Sequence, residues 1–226
     1  MTSLGVFDIL GPIMVGPSSS HTAGAARLGK VARSVAHGGI KGVKFFLHGS
    51  FAKTYKGHGT DRALVAGILG MEPNDIRLRD SLDIAKEQGL EIEFIETDLG
   101  DVHPNTVKFV IKSEHGIECE VMGSSIGGGS IKITEVNGNN VEFTGDYPTL
   151  IISNIDVPGC VSNVTSILYH EGINIAFMKV FRSQRGKDAT MVFEVDYKLE
   201  KHVIEKIESI DSISRVISIN PVKEGE

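Results

Sequence analysis

Apolar residues near the start of the chain recur at helical spacing. They are Ala25, Leu28, Val31, Ala32 and Val35. Intervals of three and four residues predict an amphipathic helix, which the glycines at 38–39 would end and the serines at 18–20 would cap. Two more helices are predicted, one over 61–70 with Thr60 as its N-cap and one over 82–88.

Strand patterns are of another kind and dominate from about residue 91. Before that point, the apolar run at 43–48 predicts one strand, and the segment HGSFAKTYKGHGT, 48–60, is interpreted as a loop. Alternating apolar and polar residues then predict five short strands, with SSIGGGS between two of them and a hairpin turn at Asn137-Gly138. These strands cover 91–96, 106–113, 117–123, 130–136 and 141–145.

The last third of the chain has its own order of elements. Residues 149–221 read as strand, helix, strand, strand, helix and strand, which is the βαββαβ order of a ferredoxin-like unit. The turn-forming residues at 145–148 predict a domain boundary. The sequence therefore predicts an α+β protein with an N-terminal α/β domain over 1–146 and a ferredoxin-like domain over 149–221.

Composition narrows the class of protein. The 226 residues include 29 acidic and 23 basic side chains, a net charge of −6, which excludes a strongly basic nucleic-acid binder. A hydrophobic fraction of 41% and a charged fraction of 23% are ordinary for a folded domain. The first 20 residues lack a basic n-region, and no apolar run approaches the roughly 20 residues that span a bilayer, so we expect a cytoplasmic protein.

The cysteine count limits the metal chemistry of the chain. Cys119 and Cys160 are its two cysteines, and they form no CxxC motif. Two thiols cannot supply the three or four cysteine ligands that an iron–sulfur cluster usually takes. HxH and HExxH spacings are also absent from the sequence. We therefore expect no metal site within this chain.

The string PSSSHTAGAARLG, 17–29, carries the strongest chemical signal. Its hydroxyls and His21 stand at the entrance to the first predicted helix, where free N–H groups favour an anion. The positive helix end also disfavours an imidazolium, so His21 would be neutral and able to accept a proton. The alternative interpretation is a serine-rich helix cap with a structural histidine. In either case we expect His21 on an exposed loop.

Two more polar clusters precede regular elements. His58 stands between Gly57 and Gly59, directly before a predicted helix, and flanking glycines let a backbone approach a ligand closely. Two histidines in such settings favour a shared site. His103 and Asn105 lie before a predicted strand, where they form either a ligand contact or a simple turn.

The C-terminal unit resembles the ACT domain family over nearly its whole length. The resemblance rests on NIDVPG at 154–159 and on EGINI at 171–175. Pro158 fixes the backbone there, Gly159 permits a close approach, and the next helix N-terminus can meet a carboxylate. The resemblance implies an effector site, side-by-side pairing of ACT units and effectors at the pair interface. The residues it assigns to that site are Asp156, Pro158, Gly159, Asn174 and Ile175.

Four motifs in the first domain add a second resemblance. PSSSHTAGAARLG, HGSFAKTYKGHGTDRAL, HPNT and SIGGG, in this order and followed by an ACT unit, resemble the beta chain of the iron–sulfur-dependent bacterial L-serine dehydratases. The resemblance covers essentially the whole chain. It implies deamination of L-serine to pyruvate and ammonia, with a [4Fe–4S] cluster held by a separate alpha chain. The sequence leaves open whether a monovalent cation is required.

The same resemblance implies roles at an interface with the alpha chain. His21 would transfer a proton or orient the substrate, and His58 would be a second acid or base. The residues expected to position the carboxylate or the backbone, or to contact the substrate, are Ser18, Ser19, Ser20, Thr22, His103 and Asn105.

Two other functions compete with this one. A pyridoxal-phosphate dehydratase with SSIGGGS as its phosphate cradle is disfavoured, because the string lies between strands and no internal lysine motif supports a Schiff base. A non-catalytic amino-acid sensor is the stronger rival. The first domain also resembles the allosteric-substrate-binding domain of some phosphoglycerate dehydrogenases, in which His21 would contact no reacting atom.

Overall fold

The computed structural model describes residues 13–36, 38–114, 116, 118–182 and 184–221. The chain forms two compact units that divide between Gly138 and Asn139. The sequence analysis predicted a boundary at 145–148. The second unit begins earlier because the segment before that turn is held by it: the N–H and hydroxyl of Thr144 donate to the buried carboxylate of Glu194, each at 3.2 Å.

Helices cover one face of the first unit. A π-helical turn, Ser19–Gly24, leads directly into the predicted first helix, α1. The α-helices of this unit are α1 Ala25–Ala36, α2 Gly49–His58, α3 Thr60–Ile68 and α4 Ser81–Glu87. A 3-10 helix at Ile76–Asp80 precedes α4. The predictions of α1, α3 and α4 are confirmed.

Helices α1 and α3 cross at two glycines. A Cβ atom at Gly29 would lie 2.4 Å from the carbonyl oxygen of Leu64, and one at Gly67 would lie 2.1 Å from that of Ala26. The two backbones therefore approach closely because both crossing positions lack a side chain. This contact fixes the start of α1, and with it the turn that carries His21.

The mixed sheet that supports these helices has five strands within this unit. Its strands are β1 Ile40–Leu47, β2 Glu91–Glu96, β3 Thr106–Ser113, β4 Glu118–Gly127 and β5 Ser130–Val136. Their order within the unit is β2-β1-β3-β4-β5, with β1 and β2 parallel and the other neighbours antiparallel. The predicted hairpin turn after β5 is present, with Asn137 at a positive φ of 51°.

The predicted loop at 48–60 is wrong. Residues Gly49–His58 form α2. Gly59, at a φ of 70°, interrupts the helical conformation between α2 and α3. Gly59 is therefore the N-cap of α3, and Thr60, predicted as the cap, is its first helical residue. Two glycines and few apolar residues hid this helix from a search for hydrophobic periodicity.

The second unit has the predicted βαββαβ order. After β6, Asn139–Phe143, it contains β7 Thr149–Ile155, α5 Cys160–His170, β8 Ile175–Arg182, β9 Asp188–Val195, α6 Lys201–Glu208 and β10 Ile213–Ile219. The four strands after β6 pair antiparallel in the order β10-β7-β9-β8. Their core packs against α5 and α6 around residues such as Ile152, Leu168 and Phe193.

None of the helices in the described ranges is long and apolar enough to cross a bilayer. The leading residues 1–12, on which part of the expectation about targeting rests, lie outside the described ranges.

Candidate functional site

The π turn at the start of α1 presents His21. Ser18 stands before the turn in an extended conformation, with φ at −143° and ψ at 126°, and its hydroxyl accepts the backbone N–H of His21 at 3.3 Å. The carbonyl of Ser18 accepts the N–H of Thr22 at 2.8 Å. Ser18 thus caps the helix, as the sequence predicted.

Four hydroxyl groups surround the ring of His21. Nδ1 lies 3.3 Å from Oγ of Ser18 and 3.2 Å from Oγ of Ser20. On the other side of the ring, Nε2 lies 3.3 Å from Oγ of Ser50 and 3.2 Å from Oγ1 of Thr54. Both ring nitrogens therefore have partners, and half of these partners come from α2.

The hydroxyl of Thr54 favours one tautomer of His21. Thr54 also donates to the carbonyl of Ser50, one helical turn earlier, at 2.8 Å. A hydroxyl has one proton to donate, so while Thr54 donates there it can only accept from Nε2. That arrangement places the ring proton of a neutral His21 on Nε2 and leaves the lone pair of Nδ1 facing Ser18 and Ser20.

Burial and a second histidine both disfavour the charged form of His21. The residue is 8% exposed, so the expectation of an exposed loop position was wrong. Desolvation lowers the pKa of His21, and the neighbouring His58 lowers it further. The direction agrees with the predicted neutral ring, but these two causes differ from the helix end proposed from the sequence.

His58 is the exposed member of the pair. Its ring stands edge-on to the ring of His21, with centroids 4.8 Å apart and planes at 87°. His58 is the last residue of α2 and is solvent-exposed. Phe51 of the same helix also contacts His21, with ring centroids 5.3 Å apart. The structure therefore brings the two predicted histidines into one site.

The other predicted residues of PSSSHT contribute unequally. Ser19 begins the π turn and is half-buried. Thr22 is 1% exposed, and within the described part of the chain its hydroxyl has no hydrogen-bond partner. Thr22 is thus a buried polar group whose partner is missing from the described chain.

The HPNT loop reaches this site through its backbone. The carbonyl of Pro104 accepts the N–H of Ser50 at 2.8 Å, directly beside the hydroxyl that faces His21. His103 is exposed, and its Nδ1 accepts the N–H of Asn105 at 3.1 Å, as in a local turn. The described contacts do not include one from either His103 or Asn105 side chain to His21.

The SIGGG segment packs against the same π turn. A Cβ atom at Gly24 would lie 2.0 Å from Oγ of Ser125, so only glycine fits against this strand. Arg27 of α1, itself buried, donates to the carbonyl of Gly129 at 2.5 Å. The N–H of Ser125 donates to the carbonyl of Asn105 at 3.0 Å, which joins SIGGG to HPNT, and the hydroxyls of the neighbouring Ser124 and of Thr106 share a hydrogen bond at 2.7 Å.

Ser50 and Thr54 were not identified as site residues from the sequence. Both lie in the helix that was interpreted as a loop. Once that segment is helical, their spacing of four residues puts both hydroxyls on one face. The S-x-x-x-T spacing within HGSFAKTYKGHG was the signal available.

In the second unit, the predicted effector residues form two separate groups. Asp156, Pro158 and Gly159 lie where β7 meets α5, and the carboxylate of Asp156 accepts from Arg182 at 3.1 Å and from the N–H of Gly186 at 3.2 Å. Asn174 donates to Asp196 at 2.8 Å and precedes Ile175, where β8 begins. Because β7 and β8 run parallel on either side of β9, the two groups lie at opposite ends of the sheet.

The residues described do not fit an iron–sulfur cluster. Cys119 and Cys160 are buried thiols in different units. Within the described ranges, no three His, Cys, Asp or Glu side chains are grouped so that they could hold a metal ion.

Comparison with known proteins matches both parts of the chain to family models. Residues 5–91 match the family model of the serine dehydratase beta chain, and residues 149–212 match that of the ACT domain. An L-serine dehydratase beta chain of Peptoniphilus asaccharolyticus is 45% identical over 212 residues, which cover 93% of this chain and 96% of that one. The chain belongs to the L-serine dehydratase beta-chain family.

Other similar proteins include a second beta chain and a larger enzyme. A probable L-serine dehydratase beta chain of Bacillus subtilis (strain 168) is 43% identical, over 95% of this chain and 97% of that one. A D-3-phosphoglycerate dehydrogenase of Methanocaldococcus jannaschii is 30% identical over 87% of this chain but only 37% of its own length. A region similar to the beta chain therefore also occurs within a larger enzyme of another name.

Proposed function

We propose that this chain is the beta subunit of a two-chain, cytoplasmic L-serine dehydratase that converts L-serine to pyruvate and ammonia. The observation that carries the proposal is the buried His21 in its ring of hydroxyls, within a chain similar to L-serine dehydratase beta chains along nearly its whole length. The non-catalytic sensor remains the alternative, and the experiment below separates the two.

The overall chemistry sets what the site must do. The Cα proton of L-serine leaves to a base, the Cβ–O bond breaks, and the hydroxyl departs as water. The aminoacrylate that forms becomes an imine, and water hydrolyses this imine to pyruvate and ammonia. A general base in such a reaction must be unprotonated near pH 7 and lie within reach of the substrate.

His21 meets the requirement for an unprotonated base near pH 7, and the serines beside it provide access for the substrate. Its lowered pKa keeps the ring neutral at pH 7. When the ring proton is on Nε2, the Nδ1 lone pair faces Ser18 and Ser20, which are half-buried and so accessible from outside the protein. We assign proton transfer to His21, orientation of the substrate to the serine segment, and a second acid–base role to the exposed His58.

The resemblance also implies a [4Fe–4S] cluster and a partner. Because the described residues do not fit a cluster, we propose that the alpha chain holds it and that the site is completed where the two chains meet. The effector groups at opposite ends of the ACT sheet support pairing of ACT units, since one copy does not bring them together.

The test uses the chain together with its alpha chain, purified anaerobically as a complex. Wild type should form pyruvate from L-serine, and His21→Gln should lower turnover about 10²–10⁴-fold, the usual contribution of a positioned acid–base group. The matched control is His170→Gln, an exposed histidine of the ACT helix. A His21→Gln complex that is folded and fully active would support the sensor instead.

A further inference from the structure

A cavity of about 320 Å³ lies beside His58 in the first unit. That volume is at the lower end of the range for small-molecule sites. Every charged residue on its described wall is basic: Lys56 at the end of α2, Arg62 in α3 and Arg79 in the 3-10 helix. Asp61 lies close to Lys56 and Arg62 but is not on the wall, so the cavity is cationic.

The cavity wall also contains the buried Thr22. Its hydroxyl has no partner within the described part of the chain, and its residue is 1% exposed. Gly16 approaches it so closely that a Cβ atom there would lie 2.3 Å from Oγ1 of Thr22. A buried hydroxyl without a partner is uncommon in a native structure and points to a group that the described chain does not supply.

Three cations and one unpartnered donor are suited to a carboxylate. The guanidinium of arginine offers two parallel N–H groups that match the two oxygens of a carboxylate, and lysine adds a point charge. A carboxylate in this cavity would have its remaining atoms beside His58, whose ring contacts His21.

We propose that this cavity binds the carboxylate of the substrate, with Arg62 as its main ligand and Lys56, Arg79 and the Thr22 hydroxyl in support. The proposal rests on the proposed function and extends it, because it names which part of L-serine this chain binds. The site would discriminate amino and hydroxy acids from the corresponding amides and alcohols, which lack the carboxylate.

The test compares pocket arginines and lysines with neighbours that lie off the wall. In the two-chain complex, Arg62→Gln should raise KM for L-serine about 10- to 100-fold, the usual effect of losing a charged hydrogen bond, with a smaller change in kcat. Arg62→Lys should recover part of the loss. Lys53→Gln is the matched control for Lys56→Gln, because both lysines are exposed residues of α2 and Lys53 is off the wall. Arg77→Gln is the matched control for Arg79→Gln, since both arginines are exposed residues of the same 3-10 helix.

Inhibitors show which chemical group is bound. Inhibition by 3-hydroxypropionate should weaken in Arg62→Gln to the same extent as KM rises, whereas inhibition by L-serinamide, which has no carboxylate, should not weaken. Unchanged KM in a folded Arg62→Gln complex would overturn the proposal. So would inorganic phosphate competing more tightly than 3-hydroxypropionate, or loss of the alpha chain from an Arg62→Gln preparation at unchanged KM, which would indicate a docking surface.

A failure of the proposed function can be told apart from a failure of this site. If the wild-type complex makes no pyruvate, the proposed function fails. Saturation-transfer NMR of the full chain then still decides the carboxylate site. L-serine should show contact that Arg62→Gln removes and Arg77→Gln keeps, and equal signals from L-serine and L-serinamide would contradict a carboxylate site.

Discussion

The hydroxyl of Thr54 lies 3.2 Å from Nε2 of His21 and donates to a carbonyl of its own helix. While it donates there it can only accept from Nε2, so this common helical side-chain hydrogen bond favours the Nε2–H tautomer of a histidine 33 residues away in sequence. Thr54 acts through His21 and is therefore a positioning residue.

Thr54→Val should lower kcat about fivefold, because it removes one net hydrogen bond worth roughly 1 kcal/mol and lets the ring proton move to Nδ1. Valine has the shape of threonine and a similar helix propensity, so the fold should persist. Thr54→Ser keeps the hydroxyl and should restore kcat. Equal loss in the Val and Ser variants, measured by pyruvate formation, would show that Thr54 contributes only packing.

The lowered pKa of His21 makes stability depend on pH. Since the folded-state pKa lies below the ordinary value of 6.5, the unfolded chain binds more protons than the folded chain just below pH 6.5. The free energy of unfolding should therefore fall as pH drops through 6.5 and level off below the folded-state pKa. His21→Gln should lack this component.

Urea unfolding of wild type and His21→Gln at pH 7.5 and pH 5 measures the contribution of His21 to the pH dependence of the free energy of unfolding. The stability difference between the two proteins should shrink at pH 5, while contributions from titrating groups that do not interact with His21 cancel in the comparison. A difference that is the same at both pH values would mean that His21 titrates normally in the folded chain.

The contact between Gly24 and Ser125 predicts a coupled pair. Gly24→Ala should cost about 1–3 kcal/mol of stability, since its Cβ overlaps Oγ and Cβ of Ser125. Adding Ser125→Gly removes both overlapping atoms and should recover part of the loss, so the two effects should not add. A double-mutant cycle by thermal or urea unfolding checks this, with Ser125→Gly alone as reference. Additive losses would contradict the contact.

Local patterns were sufficient for most of the fold. The spacing of Leu28 and Val35 predicted α1, and the alternation in 106–113 predicted β3, because each pattern reflects one buried face. Helix α2 was missed because its burial is limited to Phe51 and its remaining signal is weak. Tertiary contact, rather than propensity, stabilises such a helix.

The site itself was only half predictable. His21 and His58 stood out as polar residues at helix entrances, but nothing local says that their rings meet at 4.8 Å. The role of SIGGG also depends on distant partners, Arg27 for Gly129 and Gly24 for Ser125. Sequence motifs identify residues of the site, whereas the packing of helices and strands determines which of their atoms are in contact.

The final prediction concerns Gly159 at the start of α5. Its φ of 89° lies in the left-handed region, whereas an added Cβ atom would meet no described atom within 4 Å. The requirement for glycine is therefore conformational, which leaves open space that a carboxylate could occupy. Side chains there should cost roughly 1–2 kcal/mol, least for Gly159→Asn and most for Gly159→Val, since asparagine tolerates this conformation and β-branched residues do not.

Stability and regulation should then separate from chemistry in these variants. Gly159→Val should change the response of activity to amino acids, or self-association through the ACT unit, while kcat per folded complex stays unchanged because the histidines lie in the other unit. Urea unfolding gives the stability order, activity against serine concentration gives the response, and light scattering gives the assembly size. If a folded Gly159→Val complex keeps the same response curve and assembly size, the NIDVPG loop is a simple turn and the ACT unit serves structure or docking.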